Sequence, residues 1–191
     1  MRKNFPGILF LVIGNSGSGK DSIIKGISEK YPSNLKKVYL PKRYITRKAS
    51  ETENNISISP IEFKEMSRKG LFALEWNIYG LFYGIPIEID EWLKKGHPVI
   101  INVSRTIIEK AYEIYLNMKV VFINVPFEIL LKRLKERERE DDVQLKQRIE
   151  RARKNLNFPG ADLIVDNSGK LDDAIDRFLN YIIKVLESKN K

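Results

Sequence analysis

The sequence predicts an α/β fold of three layers, a parallel sheet covered by helices on both faces. Three observations lead there. Short apolar runs rich in β-branched residues alternate with stretches of helical periodicity. The connections between them are short, as in strand–helix–strand units. The first apolar run, residues 8–13, passes directly into a glycine-rich turn and then a helix.

Each element has its own signal. Residues 8–13 are apolar and β-branched, a buried strand, and residues 20–30 form a helix that stops before Pro32. Residues 37–40 read as a second strand. Residues 72–76 and 81–83 read as short strands around a turn-rich connection at 77–80. Residues 86–95 read as a helix ending at Gly96, a residue suited to a left-handed C-cap. Residues 99–103 form an apolar strand, and Ser104 is placed to cap the helix after it, which runs to about Tyr115. Residues 119–125 form another strand, with Pro126 opening a basic helix to about Arg137. Residues 144–155 are helical, 162–165 a strand, and 171–187 a closing amphipathic helix.

Two regions break the rhythm. Residues 43–85, rich in turns and short strands, read as an insertion carrying a binding site. Residues 136–143 are almost wholly charged and cannot pack in a core. The segment at about 136–145 is either a solvated connection or a lid. At 191 residues the chain suits one domain, residues 1–191, with a single sizeable core.

Composition narrows the class. Hydrophobic residues make up 42% and charged residues 31%, as in soluble globular proteins. The absence of cysteine excludes disulfides and thiolate metal sites and fits a reducing cytoplasm. The N-terminal apolar run is too short for a signal peptide, and no stretch reaches the roughly 18–20 apolar residues of a membrane span. A cytoplasmic protein without membrane attachment is expected. The formal charge of +9, from 34 basic and 25 acidic residues, suits an acidic partner, and equally a Lys/Glu-rich solvated surface. No aromatic–basic stripe marks a nucleic-acid binder. His97, beside Pro98 at a strand start, reads as structural. The oligomeric state stays open, a homodimer among the options.

Residues Gly14, Asn15, Ser16, Gly17, Ser18, Gly19 and Lys20 match G-x-x-x-x-G-K, after a strand and before a helix. The glycines let the backbone curl so that successive N–H groups point at a phosphate, and the helix N-terminus adds its dipole. Lys20 then reaches the β- and γ-phosphate oxygens and offsets charge as the bond to the leaving group breaks. The pattern identifies a P-loop NTPase fold with ATP and Mg²⁺ as cofactors. The residue after the lysine is ordinarily Ser or Thr; here it is Asp21, followed by Ser22. Asp21 is either an Mg²⁺ ligand, direct or through water, or a carboxylate placed favourably in a first helical turn. Ser22 is the alternative hydroxyl donor.

Arg43 and Arg47 lie four apart in R-Y-I-T-R at the edge of the insertion, and arginine forks hold phosphate bidentately. Glu75 and Tyr83 end apolar runs and are candidates to hold sugar hydroxyls. Arg133, Arg137 and Arg139 lead into the charged run, and Arg148 and Arg151 follow it. Carried over the β/γ bridge by a closing lid, they would neutralise transition-state charge; otherwise they are a solvated helix face.

Taken together the residues resemble the guanylate kinase superfamily over nearly the whole chain. The P-loop, Thr46-Arg47, Phe72 to Glu75, Tyr83-Gly84, Arg133-Leu134 and Asp166-Asn167 carry the likeness. It implies a core sheet, an acceptor-binding insertion and a lid. The guanine-reading positions depart from that family's pattern. Arg43 stands where the pattern has a serine, Ser50 replaces an arginine, and the segment 54–57 lacks its tyrosine. Ile85 replaces a small hydroxyl residue, and Asn102 replaces an acid. Within the superfamily the chain is similar to the ribose 1,5-bisphosphate phosphokinase group. The shared features are Gly14 to Ser22 with the aspartate, Arg43 to Arg47, Leu74-x-Trp76, Gly80 to Gly84, Glu88 to Leu93, and Asn102-Val-Ser-Arg105. That resemblance implies a phosphotransferase acting with ATP on a small phosphorylated acceptor, ribose 1,5-bisphosphate. It implies acceptor contacts from Arg43, Arg47, Glu75, Tyr83, Asn102 and Arg105. The alternatives are a nucleoside-monophosphate kinase and a catalytically silent interaction module.

Overall fold

The structure, a computed structural model, describes residues 1–48, 55–78, 80–136 and 142–189. They form two compact units, Met1–Leu11 with Pro32–Lys119 and Val12–Tyr31 with Val120–Lys191. The first run is β1, Leu9–Ile13, with all five residues buried, as five consecutive apolar residues demand. The other strands of its sheet are β6 (Val99–Asn102), β7 (Met118–Asn124) and β8 (Leu163–Asp166). The order is β6-β1-β7-β8, and β7 and β8 run parallel with Asn124 opposite Asp166.

In the first unit, residues 43–85 hold more order than their composition promises. Strands β2 (Arg43–Ile45), β3 (Asn55–Ser57), β4 (Phe72–Ile78) and β5 (Leu81–Pro86) form a mixed sheet in the order β3-β2-β5-β4. Helix α2, Pro60–Arg68, interrupts the strands, an element the sequence reading missed. Its signal is a capping box. The Ser59 hydroxyl accepts from the Glu62 N–H at 3.1 Å, and the Glu62 carboxylate accepts from the Ser59 N–H at 2.7 Å, with Pro60 in the first helical turn. Phe63 on this helix is buried against the rings of Phe72 and Phe82.

Strands β4 and β5 run longer than the expected 72–76 and 81–83, and two further elements differ from expectation. Residues 37–40 make a single bridge, Tyr39 to Val99, rather than a strand. Tyr39 is committed elsewhere: its ring stacks on Trp92 at 4.4 Å, its hydroxyl donates to Glu88, and Pro41 ends the run. Helix α3 begins at Ile89 rather than Pro86, because Pro86 still belongs to β5 and the Ile87 N–H donates to the Leu71 carbonyl. Gly96 ends the helix at φ 82°, the left-handed cap its position called for. Ser104 caps a 3₁₀ turn, Arg105–Ile107, that runs into α4, Ile108–Ile114. A partly buried triad ties the N-terminus to these helices. Asp90 accepts from the Tyr115 hydroxyl at 2.7 Å and pairs with Lys3. Burial first, and then that hydrogen bond, pushes the Tyr115 phenol's pKa up, which keeps it the donor.

In the second unit, α1 (Lys20–Lys30) follows the glycine turn, and α7 (Leu171–Lys189) packs along it. Lys30 pairs with both Asp172 and Asp176 between them. Helices α5 (Phe127–Lys135) and α6 (Asp142–Lys154) share a small core in which Leu130, Leu134 and Ala152 are buried, with Ile149 packed against them. Residues 137–141 of the expected lid, Arg137 among them, lie outside the described residues. Among the described residues no helix is long and apolar enough to cross a membrane.

Candidate functional site: a phosphate cradle and a mixed sheet bearing Arg43

The turn between β1 and α1 has a backbone that two glycines make possible. Gly14 sits at φ 152°, where a Cβ would lie 2.6 Å from the Ile123 carbonyl oxygen. Gly19 sits at φ 87°, where a Cβ would lie 2.3 Å from Asn167 Nδ2. Side chains are therefore excluded twice over, by conformation and by space. Gly19 is also the N-cap of α1 and supplies no side-chain cap, so the helix's first turn presents backbone donors. Lys20 leaves this turn and closes over the loop: its Nζ donates to the carbonyl oxygens of Gly14 at 2.8 Å and Asn15 at 2.9 Å. The ammonium is thereby fixed inside the ring of residues that would hold phosphate.

The loop is braced from below by a residue that the sequence reading did not place in the site. Asn167, 3% exposed, follows β8 and donates from Nδ2 to the Ser18 carbonyl at 2.8 Å. Its backbone N–H donates to the Asn124 carbonyl, and its own carbonyl accepts from Arg133 Nη2 at 3.0 Å. Arg133 thus holds the brace. Arg148, on α6, takes a different place: its Nη1 donates to Ser16 Oγ at 3.0 Å, at the loop itself. Asp21 and Ser22 are exposed in the first turn of α1. Among the described residues no three His, Cys, Asp or Glu side chains gather as a ready-made metal centre. A carboxylate and a hydroxyl beside a phosphate loop nevertheless fit Mg²⁺, which keeps most of its shell as water and phosphate oxygen.

The first unit gathers the other candidates on its mixed sheet. Arg43 on β2 donates from Nε to Asn55 Oδ1 at 3.1 Å and from Nη1 to the Asn102 carbonyl at 3.0 Å. Arg43 and Asn55 are register partners on parallel strands, which sets the guanidinium's plane. Arg47 follows β2, its Nη1 donating to the Lys48 carbonyl. Thr46, between the two arginine positions, ties the end of β2 to β5. It donates its N–H to the Phe82 carbonyl and accepts the Phe82 N–H on Oγ1. Tyr83 pairs with Trp76 across β4 and β5, and their rings stack at 5.4 Å. Arg105 opens the 3₁₀ turn after β6, three residues beyond Asn102.

Glu75 does not join Tyr83. The register places Glu75 opposite Gly84 and Trp76 opposite Tyr83, so Glu75 and Tyr83 project from opposite faces of the hairpin. Glu75 instead faces α2, where Oε1 accepts from the Ser67 hydroxyl at 3.1 Å. One sugar ring cannot be held by both.

The guanylate kinase family pattern matches residues 8–185, which takes in the cradle, the mixed sheet and the bracing Asn167. The chain belongs to the guanylate kinase family. Among curated guanylate-kinase-like relatives, the chain is 36% identical over 167 residues to ribose 1,5-bisphosphate phosphokinase PhnN of Bradyrhizobium diazoefficiens, covering 87% of this chain and 83% of that one. It is 36% identical over 178 residues to the protein of the same name from Pseudomonas paraeruginosa, covering 92% and 95%. In fold it is similar to the guanylate kinase of Anaplasma phagocytophilum, with TM-score 0.66 and 16% identity, covering 97% of this chain and 88% of that one. A sugar kinase from Janibacter sp. aligns with TM-score 0.52 and 20% identity, covering 93% and 95%.

Proposed function

We propose that the protein transfers the γ-phosphoryl group of ATP to ribose 1,5-bisphosphate, giving 5-phosphoribosyl 1-diphosphate and ADP. The observation that carries the reading is the bond from Arg43 to the Asn102 carbonyl. Arg43 and Asn102 occupy two positions where the guanylate kinase pattern has a serine and an acid. Arg43 is held by the main-chain carbonyl of residue 102, and Asn55 orients the arginine from the neighbouring strand. The site has exchanged base-reading groups for a guanidinium held in plane, a group suited to phosphate. The curated relatives named for ribose 1,5-bisphosphate support the same acceptor.

The chemistry asks little of a base. An oxygen of the acceptor's 1-phosphate, already an anion at neutral pH, attacks the γ-phosphorus. A new P–O–P bond forms, the bond from the γ-phosphorus to the β-bridging oxygen breaks, and ADP leaves with that electron pair. Catalysis then rests on positioning and on charge. Arg43, Arg47 and Arg105 bind the acceptor's two phosphates, and Tyr83 and Asn102 flank its sugar. Lys20 and Arg148 stabilise charge on the transferring group. Mg²⁺ held by Asp21 and Ser22 would neutralise the β- and γ-phosphate oxygens.

Two measurements test these assignments. With ATP and a panel of ribose 1,5-bisphosphate, GMP, dGMP and AMP, the bisphosphate is expected to lead in kcat/KM by at least about 100-fold, since each lost base contact costs roughly 1–3 kcal/mol. Turnover of GMP at a comparable rate would overturn the acceptor assignment. In the Asp21→Ala variant the Mg²⁺ concentration for half-maximal rate should rise about tenfold or more, the scale of loss when a group supporting a bound metal is removed. An unchanged metal dependence would assign Asp21 to the helix N-terminus alone.

A further inference from the structure

The cradle makes one contact that phosphate binding does not require. Asn15 Nδ2 donates to the carbonyl oxygens of Asn155 at 3.0 Å and Ala152 at 3.3 Å. Both acceptors lie at the C-terminal end of α6, more than a hundred residues along the chain. Helix C-termini leave their last carbonyls without intrahelical partners and carry a partial negative charge. Such an end is poorly suited to lie against a loop built for polyphosphate. Three features offset it here: the Asn15 amide, the basic Arg151, Arg153 and Lys154 of the last turn, and a local knot at Asn155. Asn155 donates its N–H to the Ala152 carbonyl and its Nδ2 to the Arg151 carbonyl.

We propose that Asn15 is a positioning residue, whose side chain clamps the end of α6 to the cradle and so sets Arg148 at Ser16. Arg148 lies four residues before Ala152, one turn along the same face of α6. Ala152 is 2% exposed and fixed against Leu130 and Leu134, so the clamp acts on a rigid stretch of helix. A slip of α6 by one residue would move it about 1.5 Å and turn it about 100°. Either displacement breaks the 3.0 Å bond from Arg148 Nη1 to Ser16 Oγ. The adjacent loop residues Asn15 and Ser16 thus hold α6 at two successive turns, one through the backbone carbonyls and one through the arginine. The inference rests on the reading of Arg148 as a group that stabilises transition-state charge.

A double-mutant cycle on kcat at saturating ATP and acceptor tests it. Asn15→Ala should lower kcat about tenfold or more while KM for ATP changes less than about threefold, because the arginine acts on the transition state. In an Arg148→Ala background the same substitution should change kcat less than about threefold, since the group it positions is gone. Asn15→Leu keeps roughly the size and loses the donor without adding charge beside the phosphates, and it supplies the same cycle should the alanine variant not fold. Factors that multiply independently, or a rise in KM for ATP with kcat intact, would overturn the clamp. The wild-type acceptor profile is a separate readout, so failure of the substrate assignment would show there and not in the cycle.

Discussion

Lys20→Ala is expected to lower kcat by about 10²–10³-fold, the usual loss when one preorganised donor to a developing charge is removed. The ammonium is held by the Gly14 and Asn15 carbonyls within the loop, from which it would exchange partners to meet the phosphates. Because its contribution grows as negative charge shifts toward the leaving oxygen, the loss should fall on kcat more than on KM for ATP. Arginine in its place should recover little, since the ring formed by residues 14–20 is fitted to a compact cation on a flexible stem. A steady-state assay across ATP concentrations checks the split. An alanine variant with undiminished kcat would remove the cradle from the chemistry.

Arg43→Ala is the second large effect, and it should appear on the acceptor side. Loss of a hydrogen-bonded charge pair to phosphate costs about 1.5–3 kcal/mol, or roughly 10- to 150-fold in KM for the acceptor. KM for ATP should stay within about threefold of wild type, because the residue is assigned to the acceptor alone. Arg43→Lys should restore only part of the loss. Lysine keeps the charge but cannot reach both Asn55 Oδ1 and the Asn102 carbonyl in one plane, as the guanidinium does. Equal increases in both KM values would show that Arg43 supports the fold rather than the acceptor.

Local signals made much of this legible in sequence. The strand, glycine turn and helix around Lys20 announce themselves by composition, and the C-cap at Gly96 and the cap at Ser104 follow from residue type alone. Helix α2 was legible too, since Ser59, Pro60 and Glu62 spell a capping box, but turn-like neighbours on both sides concealed it. Pairings at long range were not legible. Asn167 supports Ser18 from 149 positions away, and nothing near either residue reports the other. Arg43 meets the Asn102 carbonyl from 59 positions away for the same reason. The faces of Glu75 and Tyr83 turn on hairpin register, where a slip of one residue exchanges the two sides of a strand. Residue type alone does not say which way either side chain projects; the pairing of β4 with β5 shows that they look in opposite directions.

On the proposed assignments the specificity lies in the mixed sheet, where a guanidinium stands at a position that the guanylate kinase pattern gives to a serine. The most direct test is phosphorus NMR of the purified protein with ATP, Mg²⁺ and ribose 1,5-bisphosphate. The account predicts that the anomeric phosphomonoester signal disappears as ADP forms, replaced by a new pair of coupled diphosphate signals, one on the anomeric carbon. An unchanged anomeric signal, with ATP consumed only to ADP and inorganic phosphate or only when GMP is supplied, would contradict it.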